Sequence, residues 1–147
     1  MVDDDLQNFL FKYGIDTTTN FDLKNIAKDL GMRIKVLMSD EFLKENTKKE
    51  MIILNLESSK ERGTHWVCLF KNKYYFDPYG ILPMKNLPCE TYNTLQIQPD
   101  NTKMCGQLCL YILYHLSKVG REKFEELILT TYQEIQDLQS SKIKYKK

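Results

Sequence analysis

Residues 64–80 read THWVCLFKNKYYFDPYG, and this stretch decides the fold. Two runs rich in aromatic and apolar residues, Thr64–Phe70 and Lys73–Asp77, have the composition of strands. Lys71-Asn72 between them is a tight polar turn, so the runs are predicted to pair as a hairpin. Pro78 and Gly80 stop the second strand. Working outward on the N-terminal side, Met51 to Leu56 is a short apolar run that reads as a buried strand. Met32, Ile34, Val36 and Met38 alternate with Arg33, Lys35 and Leu37, which predicts a further strand. Glu57 to Gly63 is a polar turn, and the charged residues 39–50 form a short helix or loop. On the C-terminal side, 81–90 is a loop with Pro83 and Pro88, Tyr92–Gln98 alternates as a strand, and Pro99, Asp100 and Asn101 turn the chain.

Helical spacing takes over at both ends. Leu6, Phe9, Leu10 and Tyr13 share a face closed by Gly14. A second helix through Leu23, Ile26, Ala27 and Leu30 is capped by Asn20 or Asp22 and stopped by Gly31. From Cys105 the apolar positions Leu108, Cys109, Ile112, Leu113 and Leu116 form one broad face, broken by Gly120. Phe124, Leu127, Ile128, Thr131, Ile135 and Leu138 make a last amphipathic helix. Strands clustered centrally with helices before and after predict an α+β fold, a central mixed β-sheet flanked by helices.

The chain has 147 residues, the size of one domain that buries a core without staples, so residues 1–147 are taken as one unit. Net charge is +1, which gives no whole-molecule field towards nucleic acid or membrane. Charge gathers only at the ends, at Asp3, Asp4 and Asp5 and at Lys142, Lys144, Lys146 and Lys147, as solvated termini do. No apolar run approaches the roughly 20 residues needed to span a bilayer. The acidic start MVDDDLQNFLFKYG lacks the basic n-region of a secretory signal, so a reducing compartment is expected. There the four cysteines, Cys68, Cys89, Cys105 and Cys109, are thiols. Their spacing, with His65 and His115, completes no standard zinc pattern, and no metal or cofactor is expected. No phosphate-binding glycine motif is present.

Thiol catalysis needs a thiolate, a base, a group to hold the base, and donors for the oxyanion. Cys105 lies where a turn becomes a helix, and the partial positive charge there favours thiolate. Gly106 follows, leaving the backbone beside the sulfur without a Cβ. Cys109 falls on the apolar helix face and Cys68 in a strand, so both belong to the core. His115 is ten residues along the Cys105 helix, roughly 15 Å by the helical rise and too far for proton transfer. His65 is therefore the base. Asp77 lies near its mirror position across the hairpin, placed to orient the imidazole. Gln98, ending the strand before the Cys105 turn, offers an amide to the oxyanion. Each residue also has an ordinary structural reading: a buried cysteine, a packed histidine, a strand-end aspartate capping a turn, an exposed polar strand end.

The blocks GTHWVCLF (63–70), YYFDPYG (74–80) and IQPDNTKMCGQLCLYIL (97–113) resemble the motif blocks of the adenovirus-type cysteine proteases, the adenain group. The likeness is greatest to the branch found in virophages and Polinton-like elements, and the group's catalytic core resembles that of SUMO-specific proteases. The resemblance spans about residues 50–118. It implies a nucleophile, Cys105, at the N-terminus of a central helix, paired with Gly106. It also implies His65-Trp66 as the family's His-Trp pair, Asp77 as its acid and Gln98 as its oxyanion glutamine. Trp66 is then expected to narrow the cleft next to the catalytic residues, which favours small residues, chiefly glycine, before the scissile bond.

The activity implied is that of a cysteine endopeptidase acting on viral precursor polypeptides, capsid or scaffold components, during virion maturation. Its place is the virion and the infected-cell cytoplasm, as a monomer. An activating peptide or DNA enters as a partner on the same basis: adenovirus proteases capture a peptide through a cysteine in the stretch where Cys89 stands, here on a Pro-containing loop away from any apolar run. Two rivals are a ubiquitin- or SUMO-type isopeptidase on the same core, and a non-catalytic DNA- or protein-binding module using the lysine tail.

Overall fold

Strand 66–70 is apolar at every position because both faces of the sheet are covered. The computed structural model describes residues 5–42, 50–56, 65–85, 87–119 and 123–141. The predicted polar turn 57–63, the break at Gly120 and the lysine tail lie outside the described residues, as do Asp3 and Asp4.

Within the described residues the chain is α+β, a mixed five-stranded sheet with five helices. The helices are α1 (Leu6–Tyr13), α2 (Asn20–Asp29), α3 (Ser39–Phe42), α4 (Cys105–Val119) and α5 (Phe124–Ser141). The strands are β1 (Lys35–Met38), β2 (Met51–Asn55), β3 (Trp66–Phe70), β4 (Tyr74–Phe76) and β5 (Thr91–Tyr92), and they lie side by side in chain order. β1 with β2 and β4 with β5 are parallel, while β2–β3 and β3–β4 are antiparallel.

Side chains alternate across a strand, so one sheet serves two cores. Ile53, Trp66, Cys68, Phe70 and Phe76 face the larger one, against α1, α2, α4 and α5. Ile52, Leu54, Val67, Leu69 and Tyr75 face the other, closed by Phe42 and Leu87. Residues 104–114 are all buried, which makes α4 the central helix. Each buried Leu or Ile contributes about 1.5–3 kcal/mol by leaving water.

Several local details differ from the sequence reading. The cap of α2 is Thr19, not Asn20 or Asp22. The Thr19 hydroxyl accepts from Asp22 N–H at 3.1 Å and the Asp22 carboxylate accepts from Thr19 N–H at 2.8 Å, a capping box. β1 begins at Lys35, three residues after the expected start at Met32. The predicted strand Tyr92–Gln98 shrinks to Thr91–Tyr92. Beyond it Ile97 and Gln98 both give their N–H to the Pro78 carbonyl, at 2.8 and 2.9 Å, rather than to a ladder. Cys89 is not exposed on its loop. It is half-buried against the second core, and burial pushes its thiol up.

Candidate active site

The hairpin turns where predicted, with Lys71 and Asn72 at φ 53° and 57°. Its register pairs Cys68 with Phe76, and by extension sets Asp77 opposite Val67, two residues short of His65. The expected mirror pairing is thus a diagonal one, within reach of long side chains. His65 Nε2 stands 3.0 Å from Asp77 Oδ1. That contact leaves Nδ1 as the imidazole nitrogen for a second partner.

Asp77 is completely buried, and burying a carboxylate is costly unless its charge is met. Its Oδ1 also accepts from Tyr79 N–H at 2.8 Å. Its backbone is clamped by Asn93, whose Oδ1 accepts from Asp77 N–H at 2.9 Å and whose Nδ2 donates to Asp77 O at 2.8 Å. The turn Asp77–Gly80 is closed by Gly80 N–H to Asp77 O at 2.8 Å, with Gly80 at φ 73°. A Cβ on Gly80 would stand 2.7 Å from the Thr94 carbonyl oxygen, so the turn requires glycine.

Cys105 is the first residue of α4 and is buried. Its side chain acts on His65 together with Asp77. Burial disfavours the charged ring, but the hydrogen bond and charge of Asp77, joined by the interaction with Cys105, outweigh it and lift His65 to about 9. At neutral pH the ring is then an imidazolium, the partner a thiolate needs. The side chain of His65 keeps 19% of its surface open to solvent. Cys109, one turn along, is fully buried, gives its S–H to Trp66 O at 3.4 Å, and has its thiol pushed well up by burial. It belongs to the core as expected, as does Cys68. His115 packs against Tyr111 and Tyr114 on α4.

Gln98 is fully buried, not an exposed strand end. Its Nε2 donates to Thr102 O at 2.9 Å and to Tyr79 Oη at 3.2 Å, while Oε1 has no partner among the described residues. The bonds from Ile97 and Gln98 to Pro78 O tie this residue to the turn that carries Asp77. His65, Asp77, Gln98 and Cys105 are therefore assembled from the residue before β3, the turn after β4, an irregular segment and a helix start.

Trp66 and Gly106 take packing roles. The indole is 3% exposed and its N–H donates to Thr18 O at 3.2 Å. Gly106 is covered by Thr18 and Leu23, whose nearest atoms would lie 2.2 and 2.8 Å from a Cβ. Its lack of a side chain makes room for Thr18 of the α1–α2 loop and for Leu23 of α2. Gln107 Nε2 donates to Asp16 O at 2.9 Å and secures the same loop.

Sequence reasoning missed Tyr79 and Asn93. Tyr79 stacks on His65, ring centroids 5.1 Å apart at 24°, and sits half-buried between the imidazole and Gln98. The signals for it were its place in the turn DPYG and its position opposite His65 across the hairpin; for Asn93 the signal was a polar residue at an inward position of an alternating run. Among the described residues no group of three or more His, Cys, Asp or Glu is placed to hold a metal ion, and no helix is long and apolar enough to cross a membrane. No protein-family model matches this chain, and neither does any curated protein.

Proposed function

We propose that this chain is a cysteine endopeptidase with an adenain-like core, using Cys105, His65, Asp77 and Gln98. The observation that carries the reading is His65, whose Nε2 stands 3.0 Å from a fully buried Asp77 carboxylate while the buried Cys105 at the start of α4 acts on the same imidazole. A buried carboxylate aimed at an imidazole whose other partner is a helix-start thiol is the arrangement of a nucleophile, a base and its orienter. The likeness of 63–70, 74–80 and 97–113 to the adenain-group blocks supports the same assignment.

In the proposed reaction the Cys105 thiolate adds to a peptide carbonyl, and the carbonyl electron pair moves onto oxygen. Gln98 and the Cys105 backbone N–H hold that oxyanion. Collapse expels the amine, which takes the His65 proton and leaves a thioester on Cys105. Water then gives a proton to His65 as it adds to the thioester, and collapse returns the thiolate and a carboxylic acid. Viral precursor polypeptides with a small residue before the scissile bond are the proposed substrates.

The test is alkylation of the purified protein by substoichiometric iodoacetamide, followed by peptide mapping and by incubation with capsid-type precursor proteins. Selective labelling of Cys105, new N-termini in the precursor, and loss of both in Cys105→Ala support the reading. A folded Cys105→Ala protein that still cleaves overturns it. Cleavage confined to isopeptide-linked ubiquitin-like conjugates would move the assignment to a deconjugating enzyme.

A further inference from the structure

The side-chain amide of Gln98 has two hydrogens, and both are committed. One goes to the Thr102 carbonyl at 2.9 Å and the other to the Tyr79 hydroxyl at 3.2 Å. A backbone carbonyl is a fixed partner. The phenol oxygen is neutral, and a charged oxyanion forms a hydrogen bond about twice as strong. The hydrogen given to Tyr79 is therefore the one an oxyanion takes. The phenol's own O–H reaches Thr102 O only at 3.5 Å, longer than the usual O–H···O range of about 2.5–3.0 Å. Gln98 Nε2 and Tyr79 Oη are donor atoms 3.2 Å apart, and a third oxygen about 2.8 Å from each completes a triangle with hydrogen-bond length on two sides.

We propose that Tyr79 is a further catalytic group of this site: its hydroxyl satisfies Gln98 in the free protein and turns its O–H onto the oxyanion beside the Gln98 amide when the tetrahedral intermediate forms. The inference rests on the cysteine-peptidase reading above. Tyr79 keeps its proton throughout, since it donates a hydrogen bond and transfers nothing. Its ring is held on His65 at a centroid distance of 5.1 Å, and its backbone N–H is held by Asp77 Oδ1 at 2.8 Å, so the hydroxyl is fixed from two sides. Burial, then the negative charge of Cys105, Asp100 and Asp77, push the phenol up, which keeps it a donor at working pH.

Tyr79→Phe removes the hydroxyl and leaves the ring on His65. Two reactions of Cys105 separate the possible roles. Peptide hydrolysis passes through an oxyanion. Alkylation by iodoacetamide is displacement at a saturated carbon, which needs the thiolate and His65 but forms no oxyanion. The expected result is a fall in kcat of about 10²-fold with KM little changed, while the alkylation rate and its pH profile stay at the wild-type level. A peptide aldehyde, whose adduct carries the same oxygen, binds more weakly by a similar factor. Tyr79→Ala, which also removes the ring from His65, loses alkylation as well. An unchanged kcat in Tyr79→Phe overturns the proposal. So does a raised kcat, which makes the hydroxyl a competitor for Gln98, and so does a parallel fall in alkylation and hydrolysis, which makes Tyr79 a positioning residue for His65. Failure of the peptidase reading itself looks different: the wild type alkylates at Cys105 yet hydrolyses no peptide, before any variant is made.

Discussion

Gly106→Ala separates two reasons for a glycine beside the nucleophile. In an unobstructed helix, alanine is favoured over glycine by about 0.5–1 kcal/mol. Here the new Cβ meets Thr18 Oγ1 at 2.2 Å, Leu23 Cδ2 at 2.8 Å and Thr18 Cβ at 3.4 Å. The Leu23 tip yields readily. Thr18 does not, because it is buried and its carbonyl is held by the Trp66 indole. Overpacking of this kind costs about 1–3 kcal/mol. The clash outweighs the gain over nearly the whole range, and net destabilisation is about 0–2.5 kcal/mol. Displacing the start of α4 also moves Cys105, and a shift of about 1 Å lowers kcat on the order of 10²-fold.

Thr18→Ala removes a hydroxyl that has no hydrogen-bond partner among the described residues, so alone it costs little. In the double variant only the Leu23 tip remains in the way. Urea unfolding of the four proteins then gives a favourable coupling of about 1–2 kcal/mol, and turnover returns with the stability. If Gly106 instead gave substrate its close approach, the double variant would be stable and still inactive. That result, or a Gly106→Ala protein as stable as wild type with no coupling, refutes the packing argument.

Cys109→Ser leaves proteolysis mostly intact, because that thiol is a fully buried core group bonded to Trp66 O; a loss equal to that of Cys105→Ser, with both proteins folded, counts against the assignment. His65 is raised from its ordinary 6.5 to about 9, so the stability its charged form contributes is complete below pH 6.5 and disappears as pH rises through about 9. Both kcat/KM and resistance to urea should decline on that alkaline limb, and profiles flat to pH 10 exclude it. Asp77→Asn keeps an acceptor for His65 Nε2, as the Cys-His-Asn proteases do, so it retains more activity than His65→Ala while its alkaline limb moves to lower pH. An unmoved limb means that the carboxylate charge does not hold the imidazolium. Basal activity is present without added peptide, and Cys89→Ser does not reduce it, since that thiol packs against the second core; strong peptide stimulation of wild type alone reverses this.

Some features of this chain are local and so were legible in its sequence. Helical spacing from Leu6 to Tyr13 and from Cys105 onward needs only neighbours three and four residues apart, and the structure has both helices there. The hairpin at Lys71-Asn72 needs only a turn flanked by strand-forming residues, and β3 and β4 pair across it. A thiol at a helix start and a histidine just before a strand are likewise local facts. Other features depend on what a distant segment supplies. Tyr92–Gln98 alternates like a strand, yet it leaves the sheet after Tyr92. The Pro78 carbonyl takes the N–H groups of Ile97 and Gln98, and the Asn93 amide is spent on Asp77 and Leu95. Alternation reports which way side chains face; it does not report which carbonyl a backbone N–H meets. The same limit hid the tyrosine on His65 and the threonine over Gly106. The threonine contact joins segments brought together only when α1 and α2 close on α4, while the tyrosine stands across the hairpin from His65, where the register places it but alternation alone does not say that the two rings stack. Sequence spacing names the groups capable of thiol chemistry, and tertiary packing decides the distances, burial and partners that set what each of them does.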